Sequence, residues 1–283
     1  MDSKNDFRQV EHMNFENKVA LVLGAVKGIG KGIGLGLARE RVKVALNYFD
    51  WPEELDQMKR DFDGLGTEHL ILKTDLLETD RIAGLINSVI DHFGRLDILI
   101  NNIERGGWPV VHGPYVQEQW DLEFATTIRA KWWIFNSALP HLKKSGEGVV
   151  INLSSIAGMV GRTGPAGLVF NDGYSAANRG ISLLTETWAR MGAPEVRVNE
   201  IMLGFFKTRH AEGTRGWGLL SQQEKDAILD HTLMGRTGDI EDVVKAVIYL
   251  IKDAPFMTGS VIRLDGGYLL GGEKVGKMPS GVL

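Results

Sequence analysis

Gly24, Gly28 and Gly30 follow the apolar run Val19-Ala20-Leu21-Val22-Leu23 and precede the spaced apolar residues Ile33, Leu35, Leu37 and Ala38. A buried strand that breaks into a glycine turn and opens a helix is built to hold phosphate. Gly24 permits the tight turn, Gly28 lets backbone amides approach a pyrophosphate, and Gly30 allows close packing where the positive end of the helix dipole begins. The other half of such a nucleotide site lies about 20 residues on, where an acid accepts the ribose hydroxyls of NAD. Here that strand end reads Asn47-Tyr48-Phe49-Asp50, with Tyr48 at the expected acidic position and Lys27 beside Gly28. A cation without its acid favours NADP(H) over NAD(H), and Asp50 turning inward would reverse the preference.

These residues need a scaffold, and the chain supplies one by alternation. Strand-like runs at residues 19–23, 43–47, 70–73, 98–101, 149–153, 197–201 and 261–264 are separated by segments of helical periodicity. Ile98-Leu99-Ile100 and Val149-Val150-Ile151 are continuously apolar, as strands covered on both faces are. The expected fold is a single-domain, Rossmann-like doubly wound parallel sheet of about seven strands with helices on both faces. Ligands bind such sheets at the carboxyl ends of the strands. Two long loops there, residues 158–173 and 203–220, the second carrying Phe205, Phe206 and Trp217, are candidate lids over a substrate.

Composition narrows the partners. The 283 residues carry a net charge of −4 and no cysteine. The charge gives no footprint for nucleic acid or an anionic membrane, and the missing thiols remove disulfides, thiolate metal sites and a cysteine nucleophile. The seven histidines have no metal-ligand spacing, so no metal is expected. No run approaches the ~18 apolar residues of a membrane span. The expectation is a cytoplasmic protein acting on small molecules. It divides into an N-terminal extension at 1–17, a core domain at 18–270 and a tail at 271–283.

Further motifs are Asn152-Leu153-Ser154-Ser155-Ile156-Ala157-Gly158 after the fifth strand, and Tyr174-Ser175-Ala176-Ala177-Asn178 opening an apolar-periodic helix. With the glycine turn, Asp75, Asn101-Asn102 and the closing run Val261-Ile262-Arg263-Leu264-Asp265-Gly266-Gly267, they make the chain resemble the short-chain dehydrogenase/reductase family over residues 17–270. The resemblance implies hydride transfer between a nicotinamide and a carbonyl or alcohol, with Tyr174 exchanging the proton and Ser155 holding the substrate oxygen. It also implies cofactor contacts from Ile29, Asp75, Leu76, Asn101, Tyr174, Gly204 and Thr208, and a homodimer or homotetramer paired through helices at residues 115–144 and 174–191.

The departures from the family are as informative as the matches. The family's catalytic lysine, one turn after the tyrosine, is Asn178, which can hold a ribose hydroxyl but brings no charge. The asparagine that orders a relay water is Thr127, and Leu23, Ile103, Glu104 and Leu203 replace usual residues of the cofactor edge. From Ser155 to Tyr174 is 174 − 155 = 19 residues, longer than the family norm, which puts an insertion at the substrate mouth. Thr127 and Lys131 are four apart on a predicted helix and share a face, so Lys131 can return a cation to the relay. The leading reading is an NADP(H)-dependent oxidoreductase, slow or atypical for want of the lysine. The alternative is a catalytically degenerate nicotinamide-nucleotide-binding protein, and a non-redox enzyme on the same fold is a third.

Overall fold

A computed structural model describes residues 15–103, 115–208, 217–273, 275–279 and 281. Residues 1–14 of the expected extension and Glu104 lie outside the described residues. The chain runs β1 (Val19–Val22), α1 (Gly28–Arg39), β2 (Lys43–Tyr48), α2 (Leu55–Asp63), β3 (His69–Lys73), α3 (Ile82–Phe93) and β4 (Ile98–Asn101). It continues through α4 (Gln117–Phe124), α5 (Lys131–Ser145), β5 (Gly148–Ser155), α6 (Ala157–Val160), α7 (Asp172–Gly192) and β6 (Val196–Leu203). The last elements are α8 (Gln222–His231), α9 (Ile240–Lys252) and β7 (Val261–Leu264).

All seven strands are parallel, in the order β3-β2-β1-β4-β5-β6-β7. The order reverses between β1 and β4, and the crevice at that switch point is where a ligand of such a sheet sits. Successive strand side chains point to opposite faces. Thus Ala20, Val22, Val44, Ile98 and Ile151 join a core under α1, α2 and α9, while Val19, Leu21, Ala45, Leu99 and Val150 join another under α3, α5 and α7. The helices are seated by specific polar contacts. Arg197 donates to the carbonyls of Leu250, Ile251 and Ala254 at the end of α9, and Asp239 and Asp242 close a capping box at its start.

The seven expected strands are all present, with differences at the ends that matter. β5 runs on to Ser155 and β6 to Leu203, so Ser155 is the last residue of a strand, and the second long loop begins one residue later than expected. Residues 158–173 are not an open loop: α6 and a short 3-10 turn, Gly164–Leu168, fill them. The helix expected at residues 115–144 is broken into α4 and α5 by a π-helical stretch, Ala125–Ala130.

Candidate active site

The glycine turn is held from behind. Gly24 has φ +62°, and a Cβ there would lie 2.5 Å from the Asn102 carbonyl oxygen. Asn102 Nδ2 donates to the carbonyls of Leu23 and Gly24, each at 3.3 Å. A Cβ on Gly30 would strike the Gly24 carbonyl and lie 2.6 Å from Asn102 Nδ2. Around Gly28 (φ +58°) none of the described residues stands within 4 Å of such an atom, while the two ends of the turn are locked. Ala25 N donates to the Asn47 carbonyl at 2.8 Å, which ties the turn to the end of β2.

Other expected cofactor residues lie along the same strand ends. Lys27 precedes α1, with Nζ 3.4 Å from the centre of the Trp51 ring and 3.6 Å from Glu54 Oε1. Tyr48 is partly buried against the α1 side of the core. Asp75 accepts from Leu77 N at 3.0 Å, and Leu76 is buried in the α3 core. Asn101 is fully buried; its Nδ2 donates to Asn152 Oδ1 at 2.7 Å, while its own Oδ1 has no partner among the described residues. Gly204 is dictated by packing, since a Cβ would lie 2.7 Å from Asp265 Cα. Thr208 N donates to the Phe206 carbonyl at 2.7 Å.

Ser155 and Tyr174 come from different elements and are joined by Asn178. Ser155 N donates to Asn178 Oδ1 at 2.9 Å, and Asn178 Nδ2 donates to the Tyr174 carbonyl at 3.0 Å. Asn178 is therefore a clamp between β5 and α7, fully buried with both ends of its amide engaged. Ser155 and Tyr174 retain slight exposure, at 6% and 8%. Ser155 Oγ accepts from Ala157 N at 3.1 Å.

The start of α7 is braced by a carboxyl that sequence reasoning missed. Glu123, fully buried, accepts from the Tyr115 hydroxyl and from Asn171 Nδ2 at 2.6 Å. Asn171 in turn caps α7 by accepting from Tyr174 N at 2.8 Å. Gly173 leaves room for this cluster, because a Cβ there would lie 2.5 Å from Glu123 Oε2. A glutamate four residues before Thr127 reads as one more helix-surface charge until tertiary structure buries it.

Between α4 and α5, the π-helical stretch carries Thr127, fully buried, with no partner for its hydroxyl among the described residues. Such bulges inside helices concentrate at functional sites. Lys131, one turn on, is also fully buried and donates to the Leu153 carbonyl at 2.7 Å. On β6, Glu200 accepts from the hydroxyls of Ser154 and Ser182. Burial is the largest influence on both Glu123 and Glu200 and pushes each carboxyl above its ordinary range.

A raised folded-state pKa means that the fold binds the proton more tightly than the unfolded chain does. Stability is then greatest below the ordinary glutamate value of about 4.3 and falls as pH rises through the raised value. The expected result is a declining stability curve across that window. In Glu200→Gln the decline flattens by up to ~1.4 kcal/mol per pH unit, the limit for one proton, as read from urea unfolding midpoints at a series of pH values. An unchanged slope would mean that Glu200 is ionised throughout.

An aromatic wall completes the site beyond Tyr174. Phe170 lies 5.8 Å from Tyr174 and stacks on Phe205 at 5.6 Å, and Phe205 meets Trp217 at 5.9 Å and Tyr268 at 5.2 Å, all between ring centres. Tyr268 OH accepts from Ala166 N at 2.7 Å, so the C-terminal segment holds the inserted 3-10 turn. Phe170 lies in one of the two expected lid loops and Phe205 and Trp217 in the other; Tyr268 joins them only through tertiary structure. Among the described residues no group of three His, Asp or Glu side chains is placed to hold a metal, and no helix is long and apolar enough to cross a membrane.

A seven-stranded doubly wound parallel sheet, with the glycine turn at the end of β1 and Ser155 at the end of β5, defines an α/β protein of the Rossmann-like class. The comparisons with known proteins make the class specific. A family profile described as enoyl-(acyl carrier protein) reductase matches residues 24–269. The chain is 28% identical over 262 residues to a 3-oxoacyl-(acyl-carrier-protein) reductase FabG of Thermotoga maritima, covering 91% of this chain and 100% of the relative. A reductase of the same description from Staphylococcus aureus is 30% identical over 254 residues, 88% of this chain and 97% of its own. A short-chain dehydrogenase/reductase structure from Mycobacterium ulcerans, 24% identical, shares the fold with a TM-score of 0.79 over 92% of each chain. The chain belongs to the short-chain dehydrogenase/reductase family and is an oxidoreductase of the CH–OH/C=O couple.

Proposed function

We propose that the protein reduces a small-molecule carbonyl to an alcohol, or runs the reverse reaction, with NADP(H) as its cofactor. The observation that carries this reading is Asn178, which ties α7, one turn after Tyr174, to Ser155 at the end of β5. The residues present suit a nicotinamide dinucleotide. A side chain at Gly24 would collide with the Asn102 carbonyl and one at Gly30 with the Gly24 carbonyl, and the buried Asn101 Oδ1 and Thr127 Oγ1 lack partners within the described protein. In this reading Gly24, Gly28, Ile29 and Gly30 hold the pyrophosphate, and Asp75, Leu76 and Asn101 flank the cofactor along β3 and β4.

When bound, the nicotinamide supplies hydride to the carbonyl carbon or accepts it from the alcohol. Tyr174 gives the substrate oxygen its proton, Ser155 donates a hydrogen bond to that oxygen, and Thr127 holds a water behind them. The aromatic wall from Phe170 to Trp217 keeps water from the substrate side. The names of the relatives make short 3-oxoacyl thioesters the first probes. The same reading carries assembly into a homodimer or homotetramer, supported by Trp132 and Trp133, both exposed on α5.

Preference for NADP(H) is read from Lys27 at the glycine turn and from Tyr48 standing where an acid would mark NAD. Fluorescence titration is expected to show tighter binding of NADPH than of NADH. In Lys27→Glu the affinity for NADPH drops by about tenfold and that for NADH stays level, the effect of removing one charge-assisted contact of ~1.4 kcal/mol. Equal losses for both cofactors would assign Lys27 to the Trp51 and Glu54 contacts instead. Tight NADPH binding with no turnover of any carbonyl would favour a sensor that binds without reacting.

A further inference from the structure

The strand register reveals an unusual seat for Lys131. β4 pairs with β5 as far as Asn101 opposite Asn152, and β5 then runs on through Leu153, Ser154 and Ser155 with β6 alone as its neighbour. In a parallel ladder, one residue on the neighbouring strand donates its N–H to a carbonyl and accepts from the N–H two residues further on. For the residue opposite Ser154, Ile103, two past the end of β4, those two groups would be the Leu153 carbonyl and the Ser155 N–H. Here Lys131 Nζ donates to the first at 2.7 Å, and Asn178 Oδ1 accepts from the second at 2.9 Å. An ammonium and a carboxamide have replaced one peptide unit of the missing strand. The charge is thereby fixed against the edge that ends in Ser155, beside the residue that clamps Tyr174.

We propose that Lys131 is the positioning cation of this site, supplying from α5 the positive potential that stabilises the Tyr174 phenolate. The inference rests on the assignment of Tyr174 as proton donor. In reduction the Tyr174 O–H bond breaks and a new O–H bond forms on the substrate oxygen, as hydride from the nicotinamide reaches the carbon; solvent then returns a proton to the phenolate. A free tyrosine has a pKa of about 10, so this transfer needs a nearby positive charge at neutral pH. Asn178 carries none, and its amide is committed to Ser155 and Tyr174.

Other groups modulate the field. Glu200 on β6 is electrostatically coupled to Lys131 and, on the α7 side, to Arg179. Burial pushes the Glu200 carboxyl up, while the charges of Lys131 and Arg179 pull it down. Glu123 reaches Tyr174 from α4 through Asn171. With Tyr174 itself, these are the ionisable groups whose titration must be separated from that of Lys131.

The test reads the phenol directly and does not depend on turnover. Tyrosine labelled with 13C at Cζ gives one resonance for each of the five tyrosines, and Tyr174→Phe assigns the one of interest. In Lys131→Met the Tyr174 titration moves up by about two units. NADPH affinity stays within threefold, and kcat at pH 7 with a short 3-oxoacyl thioester falls about a hundredfold. Lys131→Met/Asn178→Lys returns a cation to the same gap; its phenol titration moves back down and kcat recovers at least tenfold. If Lys131→Met fails to fold, Lys131→Gln, which keeps a donor for the Leu153 carbonyl, is read in the same way. A Tyr174 titration unchanged in a folded Lys131 variant overturns the proposal, and so does a loss of thermal stability without a shift of that titration. Failure of the underlying reading looks different: Tyr174→Phe would then leave turnover intact whatever Lys131 does.

Discussion

Tyr174→Phe is expected to lower kcat by about 10²–10⁴, the usual worth of a positioned general acid, while NADPH binds as before. The substitution removes one hydroxyl from a site whose supports are built from other atoms. The cap of α7 uses Tyr174 N and Asn171, and the Asn178 clamp uses the Tyr174 carbonyl. Both survive the loss of the phenol oxygen, and the ring can keep its 5.8 Å approach to Phe170. Stopped-flow turnover of a 3-oxoacyl thioester beside NADPH titration separates the two quantities. A variant with wild-type kcat would remove Tyr174 from the chemistry; one with weak NADPH binding would make it chiefly a cofactor residue. The defect is also expected to exceed that of Lys131→Met, because the lysine acts through the tyrosine and cannot cost more than the group it serves.

The parts of this molecule written in local pattern were legible in the sequence. Apolar runs of a few residues marked all seven strands, since the central strands of a sheet covered on both faces are mostly apolar. The glycine turn was legible from its spacing after an apolar strand, although the asparagine that locks it, Asn102, comes from the end of β4. What escaped is long-range and polar. Glu123, Asn171 and Gly173 form one cluster only once α4 lies beside the start of α7. Glu200 meets Ser154 and Ser182 from three elements. Asn178 was read from one helix as a ribose ligand, but its buried amide spans two elements. Spacing could bring Lys131 onto the face of Thr127; it could not reveal that β4 ends at Asn101 and leaves the Leu153 carbonyl for the lysine to meet.

Gly30→Ala is expected to abolish NADPH binding, with affinity reduced a hundredfold or more, although alanine is the better helix former. The reason is the separation between the two ends of the turn. A single methyl at Gly30 would strike the Gly24 carbonyl and lie 2.6 Å from Asn102 Nδ2, so either the carbonyl or the asparagine that bonds it must move. Both are fixed: Asn102 Nδ2 spans the carbonyls of Leu23 and Gly24, and β1 is paired on both sides by β2 and β4. The strain is therefore relieved where space exists, at Gly28, whose neighbourhood is open and whose amide faces the expected pyrophosphate. Overpacking of this kind costs about 1–3 kcal/mol of stability, enough to lower Tm by several degrees in a domain of this size. The binding loss exceeds that cost because the pyrophosphate needs several amides aligned at once. Gly84→Ala, on the exposed side of α3 with nothing within 4 Å of the added atom, is the control; removing glycine from a helix interior there raises stability by about 0.5–1 kcal/mol. Isothermal titration with NADPH and thermal unfolding of the two variants decide the matter, and a Gly30→Ala protein that binds NADPH like the wild type would remove the glycine turn from the cofactor site.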